Sequence, residues 1–128
     1  MKFVKAIVLF WAFFVFFGLV PAWAANWVEY GTSSQGDVYS YNKSSVKLVT
    51  ADVIQVWQRY DFAHPVKGVK STTVLRQIDC QLSRSKVLSV IDYDLYGGVL
   101  HNNTNEDTDW KDIPPNSRLD ELRKILCE

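Results

Sequence analysis

Asp52-Val53-Ile54-Gln55-Val56-Trp57-Gln58-Arg59-Tyr60-Asp61-Phe62 is the stretch that decides the fold. Ile54, Val56, Tyr60 and Phe62 share one side with Gln58, while Val53, Gln55, Trp57, Arg59 and Asp61 share the other. A period of two belongs to a strand, and its unequal sides belong to a sheet with one face better buried. On the N-terminal side, residues 26–31 and 37–41 carry the same aromatic and β-branched character around a polar turn, and residues 46–49 form a short third run. On the C-terminal side, residues 64–70 with His64-Pro65 read as a connection. Residues 71–80 read as a return strand, and residues 85–96 as the next, with Val87, Ile91, Tyr93 and Leu95 on one face around Ser89. Gly97-Gly98 marks a turn or bulge. Short links between consecutive strands predict an antiparallel meander of about six strands.

The chain changes character at Pro114-Pro115. Ser117 is placed to cap a helix from Arg118 towards Cys127, with Asp120 and Glu121 in its first turn and Arg123 and Lys124 near its end. Leu119, Leu122 and Leu126 make its apolar stripe, with Ile125 at the flank. So short a helix is marginal alone and needs packing to persist. Cys80 and Cys127 are the only two cysteines. In an exported chain such a pair is most simply a disulfide; neither a C-x-x-C nor a histidine-supported zinc set is present. Cys127 falls off the Leu stripe of an ideal helix, so the last turn is expected to fray or bend to reach Cys80. The predicted fold is α+β: a small antiparallel sheet with one C-terminal helix tethered across it by the Cys80–Cys127 bridge.

Export is written in the first residues. Lys2 and Lys5 precede an unbroken apolar run over residues 6–20, then Pro21 and the small-residue site Ala22-Trp23-Ala24. That order is a signal peptide with cleavage between Ala24 and Ala25, and the run is short of the roughly 20 residues of a spanning anchor. The expected organisation is a leader over residues 1–24 and one domain over residues 25–128. Of the seven Phe, only Phe62 lies beyond the leader. The full chain has 14 basic and 14 acidic residues, and loss of Lys2 and Lys5 leaves the mature part slightly acidic. That balance offers no basic stripe for nucleic acid and no polybasic cluster for an anionic membrane.

Catalytic patterns are missing. His64 and His101 sit in no nucleophile–base motif, and there is no G-x-S-x-G, H-E-x-x-H or P-loop. Asp92 and Asp94 share a strand face at a spacing of roughly 7 Å, which admits a paired-carboxylate reading, but an outer sheet face is the plainer one. The oxygen-rich stretch over residues 102–112 invites calcium, yet Thr108 and Pro114 stand where an EF-hand needs Gly and Glu, so it reads as a solvated loop. Asn42-Lys43-Ser44 and Asn102-Asn103-Thr104 are formal sequons read as turns. Neither a metal, a cofactor nor a catalytic residue is assigned. Aromatic residues are the better lead: Trp27, Trp57, Tyr39, Tyr41, Tyr60, Tyr93 and Tyr96 supply core, and any surplus suits an interface. Arg76, Arg84 and Lys86 form a possible basic patch for an acidic partner, or a strand edge guarded by charge. Tyr93 and Tyr96 join those three as candidate binding residues.

Trp27-Val28, then Val38-Tyr39-Ser40-Tyr41, Val56-Trp57, Ile78-Asp79-Cys80 and Asp92-Tyr93 follow the leader in order. Trp110-Lys111-Asp112-Ile113-Pro114-Pro115-Asn116-Ser117 then leads to a helix ending at Cys127. This succession resembles the bacterial surface-adhesin E family, named for a Gram-negative adhesin that engages host extracellular proteins. The resemblance spans essentially the whole mature domain. It implies the same sheet-and-helix fold, with Trp110, Pro114, Ser117, Cys80 and Cys127 as fold determinants, and a non-enzymatic role with a protein partner. Ala25 stands where the family's namesake has a lipidated cysteine, so the mature chain is expected to lack a stable membrane anchor. The expected location is periplasmic or extracellular. The alternative to an adhesin is a soluble periplasmic accessory or envelope-associated protein.

Overall fold

The computed structural model describes residues 26–104 and 109–128. The expected leader and its cleavage position at Ala24 and Ala25 lie outside the described residues. The elements are β1 (Trp27–Thr32), β2 (Val38–Asn42), β3 (Lys47–Leu48), β4 (Val53–Val66), β5 (Val69–Asp79), β6 (Arg84–Tyr93), β7 (Val99–Thr104), β8 (Lys111–Asp112) and α1 (Arg118–Leu126). The strands form one antiparallel sheet in the order β1-β2-β4-β5-β6-β7. Short β3 pairs with β4, and short β8 pairs with β6. Residues 53–62 form the core of the longest strand, flanked by partners on both sides.

Three expectations need correction. Residues 64–70 are not a loose connection: β4 runs on to Val66, and only Lys67-Gly68 separates it from β5. Both turn residues have positive φ, 50° and 81°, the backbone of the tight hairpin turn whose twist matches the flanking strands. Pro65 is tolerated inside the strand because pairing with β2 has already ended at Val38↔Asp61, so no ladder needs its missing N–H there. Next, residues 102–104 are strand rather than loop. They end β7, whose side chains are all exposed, so its sequence had no buried face to alternate. Among the described residues the sheet has six strands in its main order, with short β3 and β8 beside that path. Finally, Val87 and Ile91 do not share a face. A bulge between Leu75 and Arg76 pairs those residues with Ser89 and Val87, so the parity of β6 switches there.

Polar side chains shape the other turns. The Asp79 carboxylate accepts from the N–H groups of Gln81 and Leu82, both at 3.0 Å, and folds the chain from β5 into β6. Those bonds, Leu82 first, together with the Arg84 guanidinium, hold the Asp79 carboxyl below its ordinary range. Asp94 does the same for the β6–β7 hairpin, accepting from Tyr96 N–H at 2.9 Å and Gly98 N–H at 2.8 Å.

One face of the sheet is covered by α1. Ser117 caps the helix by accepting from Asp120 N–H at 3.1 Å. Leu122, fully buried, packs with Tyr41, Val56, Ile78 and Ile113, and Tyr30, Val46, Leu119, Leu126 and Cys127 surround them. Asp120 is buried inside the first turn. It accepts from Asn116 N–H and from Arg123, with Lys124 nearby, and these partners lower its pKa, the Asn116 bond most. The helix ends at Leu126, and Cys127 leaves helical geometry to join Cys80 at a Cα–Cα distance of 5.7 Å. The bridge fastens the helix to the end of β5, as the sequence predicts.

Candidate functional site

Strand parity divides the polar residues between two unlike faces. Under and beside α1 runs a closed network centred on Gln58, whose side chain is 0 % exposed. Gln58 Nε2 donates to the Tyr30 hydroxyl at 2.9 Å, and Gln58 Oε1 accepts from Arg76 Nε at 2.6 Å. Arg76 also donates to Ser85 Oγ at 3.1 Å and, more distantly, to the Tyr60 hydroxyl at 3.5 Å. Burial pushes the Tyr30 phenol well above its ordinary pKa, so it stays protonated as a member of the network. Such a set of mutually satisfied groups has the character of core architecture.

The opposite face is built differently. Among the described residues no helix packs on it, and its register brings one row across the sheet: Glu29, Ser40, Arg59, Thr73, Ile91 and Asn102. Beside that row, Trp57 pairs with Leu75 and Tyr93 pairs with Ser71. Central β5 therefore contributes short Ser71 and Thr73, whereas its surroundings contribute Trp27, Trp57, Arg59 and Tyr93. Short residues among tall ones leave a depression. A hollow of about 280 Å³ is lined by Trp27, Asn42, Arg59, Ser71, Thr73, Tyr93 and Gly97. A second, of about 200 Å³, adjoins it and is lined by Trp27, Asn42, Trp57, Thr73, Ile91 and Tyr93.

The chemistry of the hollow is aromatic with a polar fringe. The Arg59 guanidinium lies 6.0 Å from the Trp27 ring centroid and 3.5 Å from the Asp61 carboxylate, so its charge is already partnered. Asn42 Oδ1 accepts from Ser44 N–H at 3.0 Å, which leaves the carboxamide nitrogen to donate. The Thr73 hydroxyl is the exception: it is covered and has no hydrogen-bond partner among the described residues. A buried hydroxyl without a partner is costly, and native structures carry few of them.

Of the candidate binding residues, Tyr93 lines both hollows, and Tyr96, 92 % exposed, stands at the hairpin tip beside Gly97. The basic trio is brought together only in part: Arg76 and Lys86 both line a hollow of about 200 Å³, and Arg84 does not. Arg76 pairs with Val87 and Lys86 with Gln77, so Arg76 faces the helix side and Lys86 the other. Arg84 and Lys86 instead lie 5.4 Å and 4.9 Å from the Trp110 ring, and Arg84 also bonds Asp79. Arg76 lies on an interior strand and Arg84 pairs with Asp112 of β8, so neither guards a sheet edge, whereas Lys86 lies between the residues of β6 that pair with β8 and those that pair with β7. Asp92 bonds the Thr72 hydroxyl at 2.7 Å and faces His101 at 3.4 Å, whereas Asp94 holds its own turn, so the two carboxylates serve separate local structures. Among the described residues no group of three or more metal-ligating side chains converges.

Sequence reasoning placed Trp57 and Arg59 on one face but did not find Asn42, Ser71, Thr73 or Ile91 as its companions. The available signal was parity: counting by twos along β5 from Asp79 reaches Thr73 and Ser71, the small residues opposite Arg59 and Asp61.

Comparison with known proteins follows the fold. Two crystal forms of Haemophilus influenzae protein E superpose with TM-scores of 0.60 and 0.57, at 10% and 9% sequence identity. Each covers 80% of this chain and, respectively, 84% and 87% of the protein E chain. No curated protein matches by sequence. A family model described as surface-adhesin protein E matches residues 27–128, from the first residue of β1 to the end of the chain. The chain belongs to the surface-adhesin protein E family.

Proposed function

We propose that this is an exported, non-enzymatic binding protein that engages a protein partner through the open face of its sheet. The observation that carries the reading is the contrast between the faces. One is closed by α1 over a satisfied network, and the other presents Trp27, Trp57 and Tyr93 around a hollow with no described element above it. Aromatic side chains give large contact area at small cost in side-chain freedom, which suits them to recognition. Family membership supports the adhesin-like role. The second reading, a soluble accessory protein of the periplasm, is favoured by Ala25 at the position where the family's namesake carries its lipid.

Photo-crosslinking tests the face. With p-benzoylphenylalanine placed at position 93, cells should yield a discrete covalent adduct with one protein, and placement at position 121 on α1 should not. An adduct from both positions, or from position 121 alone, would sink the assignment. Antibody labelling of intact cells separates the two readings: signal without permeabilisation supports the adhesin, and signal only after permeabilisation supports the periplasmic protein.

A further inference from the structure

We infer that the hollow on the open face is a saccharide subsite, taking neutral pyranose rings of a glycan carried by the partner. The inference rests on the open face being the partner-binding surface and names what that surface recognises. Its first support is shape. Two adjoining hollows of about 280 and 200 Å³ share Trp27, Asn42, Thr73 and Tyr93, so they form one trough with two ring-sized compartments. Each is smaller than the roughly 300–1,000 Å³ of drug-sized sites.

The second support is wall chemistry. One face of a pyranose presents C–H groups bearing partial positive charge, and its edge presents hydroxyls. The electron-rich faces of Trp27, Trp57 and Tyr93 complement the former, by the same quadrupole that attracts cations. Asn42, Arg59, Ser71 and Thr73 surround those rings with donors and acceptors for the latter. An apolar peptide side chain would use the aromatics but leave this polar group unanswered.

Charge narrows the class. Neither hollow is lined by a carboxylate or a lysine, and the single cation, Arg59, is already paired with Asp61. A uronic or sialic acid would find no unpartnered positive group there; a neutral ring meets a matched field.

Thr73 is the independent observation. Its side chain lines both compartments, and among the described residues its hydroxyl is the one polar group of the trough that is covered yet unpartnered. Rotation about χ1 exchanges methyl and hydroxyl, so a ligand hydroxyl above Thr73 would satisfy a group that folding leaves unsatisfied.

The test uses the mature domain titrated with methyl glucoside, methyl galactoside, methyl mannoside, N-acetylglucosamine, cellobiose and lactose, with glucuronate as the charged control. The indole N–H resonances of Trp27 and Trp57 report binding, and that of Trp110, which lines neither hollow, is the internal reference. At least one neutral sugar should shift the first two and leave the third, with disaccharide tighter than monosaccharide. Thr73→Val should weaken that binding about threefold to tenfold, the worth of one hydrogen bond, while raising the melting temperature by removing the unpaired hydroxyl. Trp57→Ala should weaken it more than tenfold, with circular dichroism confirming the fold and Tyr93→Ala as the second variant should Trp57→Ala not fold. No shift with any neutral sugar, equal movement of Trp110, equal response to glucuronate, or indifference to Thr73→Val would each overturn the inference. Adduct formation from position 93 that survives enzymatic removal of the partner's glycans would also overturn it, and would leave the proposed function standing.

Discussion

Replacing both Cys80 and Cys127 by alanine should be the most damaging change to stability that leaves the buried core residues Tyr41, Val56, Ile78, Ile113 and Leu122 in place. The bridge joins residues 47 positions apart, and in the chain-entropy treatment a loop of that length restrains the unfolded chain by roughly 4 kcal/mol. Folded-state losses are small by comparison, because Leu122 keeps its contacts with Val56 and Ile78. The nine-residue helix, however, cannot stand alone and then relies on those contacts only. Engineered and native bridges deliver about 2–4 kcal/mol, and for a domain of this size each kcal/mol moves the melt by about 4–8 °C. The double variant should therefore melt about 10–20 °C below the oxidised protein by far-ultraviolet circular dichroism. Wild-type protein under reductant should fall by a similar amount, and the variant should be indifferent to reductant. Amide exchange should quicken first over residues 118–126. A melt within about 3 °C of the parent would refute the reasoning, since it would mean that the unfolded chain is already compact where the loop closes.

Two further outcomes follow from the polar groups. Gln58→Leu conserves volume but strips Arg76 and Tyr30 of their central partner, and should cost about 2 kcal/mol, read as a melt roughly 10 °C lower; a stabilised variant would show that the network is dispensable. Asp79 and Asp120 have carboxyls held below their unfolded pKa, so each stabilises the fold above about pH 4 and loses that contribution as pH falls through its folded value. Asp120→Asn should thus melt lower than wild type at pH 7, the gap should close below about pH 4, and a gap that widened in acid would contradict the assignment.

Much of the fold was legible because burial was one-sided. The alternation over residues 52–62 places Ile54, Val56 and Gln58 on the buried face, and all three are buried. The Leu stripe, the Ser117 cap and the cysteine pair likewise state their roles locally. What could not be read has a common cause: the deciding information lay on another strand. β7 is exposed along its length and so carries no pattern. The bulge that separates Val87 from Ile91 exists only in the pairing of β6 with β5. Pro65 reads as a break until the end of β2 is known. Arg76 is parted by parity from Arg84 and Lys86, which share a face of β6. The trough is the extreme case, because Thr73 has no signal of its own and matters only between Arg59 and Ile91.

The bridge also decides how the molecule would answer a pull on its two ends. Tension applied at the C-terminus enters through Cys127 and crosses directly to Cys80, at the end of a central strand. The 47-position segment between them is mechanically bypassed, so about 160 Å of chain, at roughly 3.4 Å per residue, is withheld from extension until the sulfurs part. β6, β7, β8 and the helix thus ride as slack beside the strained path, and shear would fall first on β1 and β2. The covalent shortcut makes the C-terminal half a passenger rather than a link in the rope.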